Sequence, residues 1–370
     1  MNIASLLEKS ARRYPDHRAL SRGLELHCNY ATLAQRAAAI AGYLKNELNC
    51  QPGERIALVM KNAPEYIEIL FGVLHAGLTA VPVNAKLHRR EFAYILENSA
   101  ASHVFISDDF NDTVGELTST IDTLKSSISV NSATFQEAYN SPPLTMQRCE
   151  PDAIAWLFYT SGTTGQPKGA MLSHRNLMAM TQSYFASVDT IEPGATLLHA
   201  APMSHGSGLY AFPTIAAGAH QVVAQSGSFE PEEIFQLIGH YPQVSMFAAP
   251  TMIKRMVETP AADDENTDNL KVMIYGGGPM YVADLKAAMA RFGNKFAQIY
   301  GQGETPMTIT CLNRADHLGR DDLPLDELLA SVGCAQVPVE IRIADAEGLS
   351  LPDGEIGEIL VSGDTVMRGY

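Results

Sequence analysis

Residues 159 to 169 read Tyr159-Thr160-Ser161-Gly162-Thr163-Thr164-Gly165-Gln166-Pro167-Lys168-Gly169, placing four Ser/Thr hydroxyls, three glycines and one lysine in one short stretch. That mixture suits a polyphosphate such as that of ATP. Glycines allow close backbone approach, exposed N–H groups and hydroxyls donate to phosphate oxygens, and Lys168 adds a full charge whose wandering Pro167 limits. A plain flexible loop is the competing reading of such a composition. The stretch is not a Walker loop, because Gly169 and Ala170 follow Lys168 where a metal-binding hydroxyl would stand. A metal ligand must come from elsewhere.

Glu304 is the one acid between residues 300 and 309. Beside a nucleotide, such a carboxylate can complete a Mg²⁺ shell together with substrate phosphates, although a solvated loop glutamate has the same sequence appearance. Gly276-Gly277-Gly278-Pro279 lets backbone approach a flat ligand and equally suits a strand-to-helix turn. His205 stands among Gly206, Gly208, Leu209, Tyr210 and Phe212, an apolar setting in which a lone histidine is commonly structural.

Positioning these groups requires strands that end beside them. Leu33, Ala37, Ile40, Ala41, Leu44 and Leu48 fall at helical spacing, and Arg55 to Met60 form a short apolar run. Ile67, Leu70, Phe71 and Leu74 mark a second helix before the strand at 80–83, and Phe92, Ile95 and Leu96 a third before the strand at 103–106. This alternation predicts parallel strands joined by helical crossovers. Residues 109–150, with Ser141-Pro142-Pro143, read as a surface connection; the strand 153–158 then delivers the glycine loop at its C-terminal end, where open α/β sheets bind ligands. Further strands are predicted at 220–224, 243–248, 271–275 and 295–299. Two of them end on the Gly276 and Tyr300 segments, so several loops can converge on one cleft. After about residue 331, Val339–Ile343 and Glu358–Val361 flank turn residues as in a small antiparallel β unit.

At 370 residues the chain exceeds the size of about 250 to 300 at which a single core stops growing, so more than one lobe is expected. Apolar residues make up 46% and charged residues 18%, a globular composition. The net charge of −15 and the scatter of the 26 basic residues argue against a nucleic-acid partner. The five cysteines, Cys28, Cys50, Cys149, Cys311 and Cys334, are widely spaced without a C-x-x-C pair and read as reduced thiols in a cytoplasmic protein. The N-terminus lacks a signal-peptide pattern, and no apolar run reaches the ~20 residues that would make an integral membrane segment.

The 159–169 string followed by Leu172-Ser173-His174-Arg175-Asn176 resembles the signature of the adenylate-forming superfamily: acyl-CoA synthetases, peptide-synthetase adenylation domains and firefly luciferase. Pro202–Gly208, Tyr275–Met280, Tyr300-Gly301-Gln302-Gly303-Glu304-Thr305, and Gly354–Ile359 running to Tyr370 match further family segments in order. The resemblance implies an α/β fold with two doubly wound lobes of mainly parallel sheet flanked by helices, plus the start of a small β subdomain. It places a large adenylation domain at 1–335, with intermixed lobes of roughly 1–185 and 186–335. Residues 336–370 would then begin the subdomain, truncated and without the mobile C-terminal domain.

Residue by residue, the resemblance assigns Thr160 to Gly165 and Lys168 to the phosphates, Gly276 to Pro279 and Tyr300 to the adenine, Glu304 to magnesium and His205 to the carboxylate of the acid. Gly301, Gln302 and Gly303 complete the nucleotide-binding segment, while Gly206, Gly208, Leu209 and Gly276 line the acid pocket. The family usually carries threonine at position 303, where it meets the α-phosphate; glycine here puts that contact in question, and Thr305 offers a substitute hydroxyl. Amino-acid-selecting relatives place an aspartate directly after the histidine. Here Gly206 stands in its place and no acid occurs from Pro193 to Phe229, so an acid with an uncharged tail, fatty or aryl, is expected. The implied reaction takes ATP and Mg²⁺ to acyl-AMP and then coenzyme A as co-substrate to acyl-CoA, impaired in a truncated chain. A binding fragment without turnover and a ligase loading a carrier protein are the alternatives.

Overall fold

The structure is a computed structural model that describes residues 1–160, 165–260 and 267–370. The chain opens with helix Ser5–Arg13 and a hairpin of β1 (Arg18–Arg22) and β2 (Glu25–Asn29). Alternating helices and strands then lay down β3 (Arg55–Val59), β4 (Thr79–Val83), β5 (Ala101–Ile106), β6 (Ser126–Ser129), β7 (Ile154–Thr160) and β8 (Lys168–Ser173). These six form one sheet in the order β6-β5-β3-β4-β7-β8, parallel except for the antiparallel β7–β8 pair. Strands β4 and β5 are buried at every position, as expected for parallel strands covered by helices on both faces.

The second half adds β9 (Thr196–His199), β10 (His220–Val223), β11 (Val244–Ala248), β12 (Leu270–Tyr275), β13 (Phe296–Gln302), β14 (Thr305–Leu312) and β15 (Cys334–Ala335). They build a nine-stranded sheet in the order β15-β14-β13-β12-β11-β9-β10-β1-β2. The hairpin β1–β2, which the sequence reading missed, therefore belongs to this later sheet, with β1 parallel to β10. The pair β16 (Val339–Ala344) and β17 (Glu358–Gly363) forms a separate antiparallel ribbon.

Residues 109–150 are not the bare surface connection their weak pattern suggests. They contribute β6, the sheet-edge strand paired to β5, and helix Ala133–Asn140, which buries Phe135 and Ala138. Short polar-rich strands such as Ser126–Ser129 carry too few apolar residues for period-2 alternation to register.

Helix Pro64–His75 buries every residue but Glu65, so it is covered on all sides, as a helix apolar around its whole circumference must be. One continuous core joins it to Leu58 and Trp156 of one sheet, Ile274 of the other and Phe212 of helix Ala211–Ala216. Glu68 on this helix is fully buried and compensated: its Oε1 accepts from His27 Nε2 at 2.9 Å and Arg36 Nη1 at 2.8 Å, and Tyr139 donates to Oε2. Those hydrogen bonds outweigh the opposing effect of burial and hold the carboxyl below its ordinary value. Among the described residues no helix is long and apolar enough to cross a membrane.

Candidate functional site

The glycine-rich stretch lies between two antiparallel strands. Strand β7 continues to Thr160, β8 starts at Lys168, and these two residues face each other in register. Ser161, Gly162, Thr163 and Thr164 lie outside the described residues; Gly165, at φ +94°, and exposed Lys168 stand at the hairpin's return. The hairpin leaves the sheet at the C-terminal end of β7, beside the matching end of parallel β4.

Glu304 comes to this hairpin from the other sheet. It sits in the turn between antiparallel β13 and β14, where Gln302 pairs with Thr305. Its Oε1 accepts from Tyr370 Oη at 2.6 Å and lies 3.5 Å from Thr160 Oγ1. Lys168 Nζ is 5.2 Å from the centre of the Tyr370 ring. Thr160, Lys168, Glu304 and Tyr370 thus form one polar cluster drawn from both sheets and the last segment of the chain. Backbone bonds hold that segment in place: Met367 N donates to Glu304 O at 2.7 Å, and Arg368 N to Met171 O at 2.9 Å. Asn176 adds two side-chain bonds, donating to the carbonyls of Asp364 and Val366 at 2.8 Å each. Tyr370 was not singled out from the sequence; its place at the end of a family-like segment was the available signal.

Gly303 is required by packing. A Cβ there would overlap Thr160 Cγ2 and stand 2.7 Å from Phe158 Cδ1. The glycine and the β7 side chains therefore fit as a pair. Gly303→Thr is expected to destabilise the fold by about 1 to 3 kcal/mol through overpacking. Combined with Thr160→Ser, which removes the opposing methyl, it should cost measurably less, as read from denaturant midpoints in a double-mutant cycle. Thr305, proposed above as a substitute phosphate hydroxyl, is only 4% exposed, in β14.

Gly276 is buried against Ile299, whereas Gly277, Gly278 and Pro279 are exposed and leave open space above them. Half-buried Tyr300 lies in β13, the parallel neighbour of β12, with its hydroxyl 3.3 Å from Gln302 Nε2; Gly301 follows it at the register shift before Gln302.

His205 is mostly buried at the start of the short helix Gly206–Leu209. Its Nδ1 is 2.9 Å from Ser204 Oγ, and its ring meets Phe158 edge-on at 5.4 Å between centres. Burial lowers its pKa, so the imidazole is neutral at pH 7 and acts as a hydrogen-bonding group, not a cation. Gly206 faces Phe247 and Met307: a Cβ there would stand 2.9 Å from Phe247 Cε1 and 3.1 Å from Met307 Cε, so even a methyl group would force these side chains to shift. Gly208 is pressed onto the Met203 carbonyl, which a Cβ would overlap, and Leu209 is fully buried in the main core, so these two shape the pocket wall from behind.

One carboxylate flanked by hydroxyls fits a Mg²⁺ ion that takes its remaining ligands from substrate phosphates and water. An exposed lysine, a glycine segment open to solvent beside a half-buried tyrosine, and a neutral histidine among apolar residues are groups that a nucleotide and a small organic acid could use. Across residues 7–370 the chain matches the AMP-binding enzymes. It belongs to that family.

The relatives agree. The chain is 30% identical over 364 residues to a feruloyl-CoA synthase of Amycolatopsis sp, covering 98% of this chain and 70% of that protein. It is 29% identical over 344 residues to the fatty acid–[acyl-carrier-protein] ligase ScoC of Streptomyces coeruleorubidus, covering 92% of this chain but 65% of that one, just under two thirds. In fold, it superposes on the inhibitor-bound N-terminal domain of FACL13 from Mycobacterium tuberculosis with a TM-score of 0.88 at 23% identity, covering 99% of this chain and 90% of the other. This AMP-binding enzyme is thus an α/β protein of mixed, mostly parallel sheets in the group of AMP-forming ligases.

Proposed function

We propose that the protein activates a carboxylic acid with an apolar, uncharged tail as its acyl-AMP and passes the acyl group to coenzyme A. The observation that carries the reading is the polar cluster of Thr160, Glu304, Tyr370 and Lys168, linked through β7 to Phe158, whose ring meets His205. A carboxylate oxygen attacks the α-phosphorus of ATP, and the bond to the bridging oxygen breaks to release pyrophosphate. The thiol sulfur of coenzyme A then attacks the acyl carbon and AMP leaves. No protein nucleophile is needed in either step.

Lys168 is placed to bind phosphate oxygens, Thr160 to donate to them, and neutral His205 to orient the carboxylate without neutralising it. Mg²⁺ held by Glu304 would offset phosphate charge. Acid selectivity follows from the walls: Phe158, Phe247 and Met307 give an ammonium group no partner, and burying it alone is costly. For the acceptor, a cavity of about 390 Å³ is lined by Ser204 and carries Lys61, Lys86 and Arg255 on its walls. Those cations suit the phosphates of coenzyme A, which favours it over a carrier protein and agrees with the name of the feruloyl-CoA synthase relative.

Titration calorimetry with non-hydrolysable acyl-AMP analogues tests the acid class. Affinity is expected to rise about fourfold per methylene, ~0.8 kcal/mol each, until the proposed acid pocket is full. Tighter binding of aminoacyl analogues than of alkyl or aryl ones of equal size would refute the assignment.

A further inference from the structure

At the opposite end of the six-stranded sheet, where β3 and β5 begin, Cys50, Glu54 and His103 present one ligand atom each, all within 4.8 Å of one another. Cys50 is wholly buried in the loop that follows helix Tyr30–Gly42 and its continuation Tyr43–Glu47, Glu54 directly precedes β3, and His103 is the third residue of β5 and 2% exposed. Two of the three are unsatisfied: His103 Nε2 and Glu54 Oε2 are buried atoms with no hydrogen-bond partner. Glu54 Oε1, in contrast, accepts from Gln51 N at 3.1 Å. A buried imidazole nitrogen without a partner, beside a buried thiol and a carboxylate oxygen whose one neighbour is Lys125 at the long distance of 3.6 Å, is costly unless something joins it to them.

The other imidazole nitrogen is already committed. His103 pairs in register with Ser126 of β6, and its Nδ1 is 2.7 Å from Ser126 Oγ. In the tautomer that donates from Nδ1 to the hydroxyl, Nε2 carries a lone pair directed at Cys50 and Glu54. That is the outer-shell bond by which metal-binding histidines are oriented. We infer that Cys50, Glu54 and His103 form a binding site for one thiophilic borderline divalent cation of the Zn²⁺ class, distinct from the magnesium site at Glu304.

Sulfur, imidazole nitrogen and a single carboxylate oxygen match the donor preferences of Zn²⁺ and not those of Mg²⁺ or Ca²⁺. Tetrahedral bonds of about 2.3 Å to sulfur and about 2.0 to 2.1 Å to nitrogen set ligand atoms roughly 3.5 Å apart, so the trio must close in by about 1 Å. Only Cys50 and Glu54, on loops, need move; β5 holds His103. Burial keeps Cys50 a neutral thiol, its pKa pushed up to about 11, so binding forms an S–metal bond and releases the thiol proton to water. Lys125, whose Nζ is 3.6 Å from Glu54 Oε2, is the competing cation, and its half-exposed side chain can swing into solvent and open the way in. The site lies at the opposite end of the sheet from the β7–β8 return, so its effect is on stability: it would tie the starts of β3 and β5 to the segment that follows Tyr43–Glu47.

The trio His27, Cys28 and Glu68 serves as an internal contrast. There Arg36 Nη1 lies 3.0 Å from His27 Nε2 and 2.8 Å from Glu68 Oε1, occupying the space a cation would take.

Co²⁺ is the probe. The purified chain, freed of metal by chelation and dialysis, should bind one Co²⁺ with a thiolate-to-metal charge-transfer band in the near ultraviolet, and Zn²⁺ should displace it. Cys50→Ser is expected to abolish the band, Cys28→Ser to keep it, and Ser126→Ala to weaken binding by about 10- to 100-fold. Lys125→Met should tighten binding by about two- to fivefold, and this exposed substitution remains informative if the Cys50 variant fails to fold. Absence of saturable binding with a charge-transfer band, a band that survives Cys50→Ser, or unchanged affinity in both Ser126→Ala and Lys125→Met would overturn the assignment.

Discussion

Lys168→Ala is expected to weaken binding of ATP·Mg²⁺ by about 10- to 150-fold, the equivalent of losing a charge-assisted hydrogen bond of about 1.5 to 3 kcal/mol. In the structure the ammonium rests over the Tyr370 ring. An exposed cation–π contact contributes only about 0.5 to 1 kcal/mol, less than a bond to a phosphate oxygen, so the nucleotide wins Lys168 from the ring. Tyr370→Leu is therefore expected to leave ATP affinity unchanged or raise it up to about fivefold, and to free Glu304 of its 2.6 Å hydrogen bond. Calorimetric titrations of the two variants separate the contributions. Equal ATP affinity in wild type and Lys168→Ala would remove Lys168 from the phosphate site.

The contrast between Lys168 and Tyr370 shows what the sequence could and could not disclose. Composition within residues 159–169 pointed to phosphate because each residue type acts through local chemistry, and the buried strands 220–224, 243–248, 271–275 and 295–299 were legible because continuous apolar runs bounded by turns are a local signal. What stayed hidden depends on partners distant in sequence. That Glu304 meets Tyr370 across 66 positions, or that β1 lies beside β10, is a property of packing. Gly303 illustrates the difference: as a sequence it reads as a missing hydroxyl, while in the structure it is the space that Phe158 and Thr160 occupy. Strand β8, Lys168 to Ser173, was not foreseen: its first two residues fell in the glycine-rich stretch and the rest carry no alternation that marks a strand apart from its partner β7.

Acidification is expected to unfold this protein through three buried histidines. His199 is fully buried in β9, its Nδ1 2.8 Å from Ser207 Oγ and its Nε2 3.0 Å from Gln221 Oε1, and burial lowers its pKa to about 4. His174, which accepts from Ile3 N at 3.2 Å, is lowered to about 4 by burial and then by the N-terminal ammonium. His220, bonded to Ser21 Oγ at 2.9 Å, is lowered to about 3 by burial and then by Arg18. A folded pKa below the unfolded value of about 6.5 means that the unfolded chain binds the proton first. Stability contributed by the neutral ring is therefore complete above about pH 6.5 and lost as pH falls toward the folded value. At pH 5 each histidine has given up about 2 kcal/mol, and the three together about 6 kcal/mol, comparable with the whole stability of an ordinary domain at 5 to 15 kcal/mol. Urea midpoints at pH 7.5, 6 and 5 should fall steeply over this range. His199→Gln, which keeps a polar group but cannot titrate, is expected to be less stable at pH 7.5 yet to lose about one third less on going to pH 5. A wild-type midpoint that stays level between pH 7.5 and 5 would show that these rings are not held neutral by burial, and the same slope in His199→Gln would show that His199 is not among the groups responsible.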